Sequence, residues 1–142
     1  MIVIDANVAV KWYLPEKGTE AAIELTTGGN RLVAPELIRL EVLSAITRGV
    51  RNNKATASEA RAQCERWLNN LTDGALALVP EHSLLHDAID LSLKVKHAFL
   101  DCMYLAVARR LEAPLLTADR PFHDRVKPFY KRISLLAGCE NN

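Results

Sequence analysis

The chain has 142 residues, 49% of them hydrophobic and 25% charged, which is enough to bury a substantial core. A formal charge of +1 excludes the strong basic footprint of a general nucleic-acid binder and gives no reason for attraction to an anionic membrane. Cys64, Cys102 and Cys139 are scattered without a CxxC pair, so neither a disulfide framework nor a zinc site is suggested. With no signal-like start and no apolar run near the roughly 18 residues of a membrane span, a soluble protein of a reducing cytoplasm is expected.

Taken in chain order, Ile2–Ile4 reads as a buried strand that delivers Asp5 at its carboxyl end, and Asn7 is expected to cap a short helix that follows. Trp12 and Tyr13 are expected in core packing or a dimer seam. A second strand, Arg31–Ala34, precedes a helix from about Pro35 to Asn52, with Pro35 in its first turn and Leu37, Ile38, Leu40, Val42, Leu43, Ala45 and Ile46 at helical spacing. Glu41 falls on or beside that apolar face, where an unpaired carboxylate is expensive. Steps of three and four residues from Glu41 reach Ser44, Arg48 and Arg51, so one helix face runs from an acid to a basic track.

A further helix runs from Thr56 to about Leu71, then a strand over Leu76–Val79 and a helix over Ser83–Val95. Asp101 opens a helix to about Leu111. A strand over Leu115–Thr117 leads into LLTADRPF, which places Asp119 just past its end, and Arg132–Leu135 is the last strand. Strands alternating with helices predict an α/β fold, a central parallel five-stranded sheet flanked by helices, in one domain spanning residues 1–142. The histidines, His82, His86, His97 and His123, are expected at the surface.

Taken singly, each acid has an ordinary reading. Asp5 and Asp101 could cap helices, Asp119 could serve the turn before Arg120 and Pro121, and Glu41 could complete a buried salt bridge. Taken together they point further. If the first and fourth strands are neighbours, the crevice at their carboxyl ends gathers Asp5 and Asp119, with Glu41 and Asp101 in reach from adjacent helices. Four crowded carboxylates repel unless they are protonated or bridged by a cation, and an oxygen-only donor set selects Mg²⁺ or Mn²⁺ over zinc. With those four acids neutralised, 18 basic residues face 13 acids, a balance of +5. Lys11, Arg48, Arg51 and Arg120 are the candidates for phosphate contact.

The stretches VIDANVAVKW, APELIRLEVLSAI and LDCMYLAVARRLEAPLLTADRPF together resemble the PIN-domain family, and within it the VapC-type toxin ribonucleases. The likeness spans nearly the whole chain, with Leu100 standing where many relatives carry an aromatic residue before the acid. It implies a PIN-like three-layer α/β/α fold and a metal-dependent endoribonuclease. Mg²⁺ or Mn²⁺ would be held by Asp5, Glu41, Asp101 and Asp119, with Thr117 supporting the last. It also implies a VapB-like antitoxin partner and a homodimer. Two other classes share the acid logic. A receiver-like Mg²⁺-binding signalling module needs an acceptor Asp after the third strand, where Val79, Pro80 and Glu81 stand instead, and a metal nuclease acting on DNA ordinarily needs a longer chain.

Overall fold

The computed structural model describes residues 1–140, so the last two residues of the expected 1–142 domain lie outside the described residues. Five short strands, β1 (Ile2–Ile4), β2 (Leu32–Pro35), β3 (Ala77–Val79), β4 (Leu115–Thr117) and β5 (Ile133–Leu135), form one sheet. Every pairing in it is parallel, and the order is β3-β2-β1-β4-β5. The connecting helices are α1 (Ala6–Val10), α2 (Thr19–Thr27), α3 (Ile38–Arg51), α4 (Ala57–Thr72), α5 (Leu85–Val95), α6 (Phe99–Arg110) and α7 (Arg120–Val126), with a 3₁₀ turn at Glu81–Ser83. The result is the expected α/β/α architecture, with β1 as central strand.

All strands being parallel, each crossover must carry a helix back across the sheet, and both sheet faces are covered. Val3, Ile4, Ala34 and Leu115 are accordingly inaccessible to solvent. Helix α6 packs over β1, β2 and β4 and against α5. Its run from Cys102 to Ala108 is therefore buried on every side, and the chain fills it with apolar residues and Tyr104. Helix α3 packs between α1 and α4. Trp67 of α4 is fully buried, donates its indole N–H to the Arg39 carbonyl (3.2 Å) and meets Tyr13 edge to face at 5.7 Å. Tyr13 and Trp12 thus pack inward, Trp12 donating to the Ala22 carbonyl at 2.7 Å.

The boundaries differ from the sequence reading for local reasons. Pro35 does not open a helix; it completes β2 opposite Val79, and α3 begins only at Ile38. Helix α4 starts as expected, because Thr56 and Glu59 form a reciprocal capping box. Helix α6 begins at Phe99, two residues before Asp101, with Ala98 as its N-cap. Helices α2 and α7 carry too little apolar periodicity to be read: α2 buries only Ala22, and α7 is seven residues long. Among the described residues no helix is long and apolar enough to cross a membrane.

The strand order reverses direction between β1 and β4, and a crevice opens there beyond the carboxyl ends of the strands. Strand β3 lies at the sheet edge and runs into Pro80, far in strand order from that point. The third strand thus ends without the acceptor Asp that a receiver-like module needs there.

Candidate metal centre

Register places the acids at the two central strand ends. Val3 pairs with Leu115 and Ile4 with Leu116, and the Asp5 amide donates to the Leu116 carbonyl at 3.2 Å. Asp5 is only 5% exposed. Its Oδ1 accepts the Val8 amide at 3.0 Å, so Asp5, and not Asn7, caps α1. Its Oδ2 accepts the hydroxyl of Thr117, which in turn accepts the Asp119 amide at 2.9 Å. Asp119 caps α7, its Oδ1 accepting the Phe122 amide at 2.9 Å. Capping and site membership coincide here, because a cap puts a carboxylate at the mouth of a helix that leaves the strand end.

Glu41 stands in the first turn of α3 and accepts a hydrogen bond from the Tyr104 hydroxyl. Among the described residues no basic side chain pairs with it, so the salt-bridge reading does not apply. Asp101, in the first turn of α6, accepts from His97 Nε2 at 2.8 Å. Asp5, Glu41 and Asp101 line one cleft of about 300 Å³ together with Asn7, Ser44, Arg48 and Leu100. A larger cavity of about 590 Å³, lined by Thr47, Ala57, Arg61 and Cys64 among others, holds no comparable gathering of acids.

The electrostatics follow from burial and crowding. Burial pushes the Asp5 carboxyl from 3.8 up to about 7; its two hydrogen bonds oppose the rise, and the like charges of Asp101 and Asp119 add to it. Burial also raises Glu41, with the charge of Asp101 adding and the Tyr104 hydrogen bond opposing. Asp101 is raised by burial and by Asp119, against the pull of His97. The Tyr104 hydroxyl, buried beside three carboxylates, is driven far above its ordinary value and stays a neutral donor.

The donor set suits a hard divalent cation. It is made of carboxylate oxygens, their ionised forms repel one another, and Asp101 Oδ1 and Glu41 Oε1 accept no hydrogen bond from the described residues yet are not buried orphans. As placed, no three acidic, imidazole or thiol side chains among the described residues stand close enough together to hold a metal ion.

The other expected residues divide. Arg48 is exposed and lines the cleft, and Asn7 stands on its rim, exposed within α1. Arg51 is exposed but lies outside the cleft lining. Lys11 is corrected: it is 5% exposed and its Nζ is paired with Glu16 at 3.0 Å, so its charge is already committed. Arg120 is likewise engaged, with Asp124 at 3.4 Å and with the Glu140 carbonyl. His82 and His86 are exposed as expected, whereas the His97 and His123 side chains are only 18% exposed; His97 is wedged between Asp101 and the Phe122 ring, 5.0 Å away. The sequence signal that would have found it is the four-residue interval from His97 to Asp101.

A parallel α/β sheet with carboxylates gathered at its switch point defines the class of doubly wound domains with an acid-lined cleft. The chain belongs to the PIN domain family, whose model matches residues 2–127. Ribonuclease VapC3 of Pyrobaculum aerophilum is 27% identical over 124 residues, covering 87% of this chain and 93% of that protein. The crystal structure of Mycobacterium tuberculosis VapC20, described as a sarcin-ricin loop cleaving toxin, superimposes with a TM-score of 0.64 at 14% identity, over 86% of this chain and 92% of the other.

Proposed function

We propose that this chain is the ribonuclease of a toxin–antitoxin pair, hydrolysing RNA phosphodiester bonds with Mg²⁺ or Mn²⁺ held by Asp5, Glu41, Asp101 and Asp119. The observation that carries the site is the meeting of Asp5, Glu41 and Asp101 in one cleft with Arg48 on its wall. Its chemical setting is the kinship with VapC ribonucleases. When bound, a divalent ion supplies a lowered pKa for attacking water and relief of the charge that builds on the phosphoryl oxygens. The chain's own groups do the rest. Asp5 and Asp119 are fixed by the helices they cap, Thr117 ties the two together, and Arg48 offers a charged fork to the phosphate beside the scissile one.

The same crowded acids explain how an antitoxin would act. A VapB-like partner that sets a basic side chain against them satisfies the charges a metal would, so inhibitor and metal compete. A homodimer belongs to the same reading, and Leu85, Ile89 and Leu93, exposed at four-residue spacing along α5, give a second copy an apolar face to cover.

The test is cleavage of single-stranded RNA and of DNA of the same sequence, each with Mg²⁺, with Mn²⁺ and with EDTA. RNA is expected to be cut and chelation to stop it. Undiminished cutting after thorough chelation would remove the metal, and preferential cutting of DNA would move the protein to the DNA nucleases. Arg48→Ala is expected to raise the KM for RNA about tenfold with kcat little changed, the worth of one charge-assisted phosphate contact. Its binding should also fall less steeply with salt than that of the wild type. An unchanged KM and salt slope would take Arg48 off the RNA path.

A further inference from the structure

Two of the cleft acids share an arrangement that the capping acids lack. Asp101 and Glu41 each have one oxygen held by a side-chain donor: Oδ2 of Asp101 by His97 Nε2 at 2.8 Å, and Oε2 of Glu41 by the Tyr104 hydroxyl. The second oxygen of each has no partner among the described residues, and neither is sealed from solvent. Unlike Asp5 and Asp119, these two acids receive no backbone amide of the described residues at the carboxylate. A carboxylate on two or three free torsions visits several rotamers, so a single donor decides which oxygen faces the cleft.

Both donors are themselves fixed. Tyr104 is 1% exposed in the middle of the buried face of α6. The His97 carbonyl accepts the Ser92 hydroxyl at 2.7 Å, and the His97 ring packs on Phe122 with an interplanar angle of 34°. Phe122 is also the residue whose amide Asp119 caps. One ring contact thus links the support of Asp101 to that of Asp119.

We infer that His97 and Tyr104 are positioning residues, each pinning one oxygen of Asp101 or Glu41 so that the other is presented to a divalent cation. The inference rests on the reading of the cleft as a metal site. Outer hydrogen-bond partners of this kind commonly govern affinity by 10–100-fold, because they remove the freedom a ligand must otherwise lose on binding.

The experiment measures Mn²⁺ binding to the RNA-free protein by the electron paramagnetic resonance signal of the free ion, beside thermal melting and steady-state cleavage. His97→Phe keeps a ring against Phe122 and loses the donor, His97→Gln keeps an N–H donor and loses the ring, and Tyr104→Phe loses only the hydroxyl. His97→Phe and Tyr104→Phe are expected to bind Mn²⁺ about tenfold or more weakly, with kcat reduced and the KM for RNA unchanged. His97→Gln should stay within about threefold of wild type, since the donor is what matters. Wild-type affinity in His97→Phe and Tyr104→Phe overturns the proposal, as does an equal loss in His97→Gln and His97→Phe, which would assign the effect to packing. Wild-type protein that binds no Mn²⁺ overturns the metal-site reading itself, and this inference with it.

Discussion

Asp101→Asn is expected to lower RNA cleavage by about 10³-fold or more while leaving the fold intact. The side chains are nearly equal in volume, and the amide oxygen of Asn can still accept the N–H of His97, so the contact beneath it survives. What disappears is one negative charge at the point where burial and Asp119 already oppose charge. The fold should therefore relax slightly, while the site loses the metal ligand that we propose Asp101 to be, a contribution to the transition state of several kcal/mol. Circular dichroism and melting separate the two effects. A well-folded Asp101→Asn protein that cut RNA at the wild-type rate would remove Asp101 from the catalytic set.

The second large effect is a pH dependence of stability centred on Asp5. The folded chain holds the Asp5 proton to about pH 7, while the unfolded chain releases it near 3.8. This contribution to stability is therefore complete below pH 3.8 and is lost as pH rises through about 7. At 1.36 kcal/mol per pH unit, the part that falls between pH 5.5 and 7 is about 2 kcal/mol. In metal-free protein the Tm should be about 4–8 °C lower at pH 8 than at pH 5.5.

Asp5→Asn keeps an oxygen for the Val8 amide, so the cap on α1 persists while the titration is removed. Its melting should be flatter over this range and higher than wild type at pH 8. Mn²⁺ should raise the wild-type Tm more at pH 8 than at pH 5.5, because at the lower pH it must displace a proton. A metal-free wild type that melts at the same temperature at both pH values, in step with Asp5→Asn, would contradict the burial of this charge.

Much of the fold was legible because its determinants are local. Ile2–Ile4 and Leu115–Thr117 announce strands by their own apolar runs, and Thr56 with Glu59 announces a helix start within four residues. Asp5 and Asp119 stand three residues before the amides they cap, an interval readable in any sequence. The boundary errors have equally local causes. Pro35 suits a helix start and a strand end alike, and only its pairing with Val79 decides between them.

By itself, then, the sequence determined the five strands and the helices other than α2 and α7, the presence of four acids at element ends, and the family to which that pattern belongs. The tertiary structure decided which of those groups meet and which cations remain free. Thr117 reaches Asp5 across 112 residues and Tyr104 reaches Glu41 across 63, contacts that exist only because β1 lies beside β4 and α6 crosses the sheet. Lys11 and Arg48 look alike as basic residues near an acid, yet Lys11 is consumed by Glu16 while Arg48 stands open on the cleft wall. His97 sits just outside α6, where helical periodicity assigns no face, and its surroundings come from Phe122 of α7. Periodicity and capping act over three or four residues, whereas a carboxylate's partners are set by whatever the packed chain brings within about 3 Å.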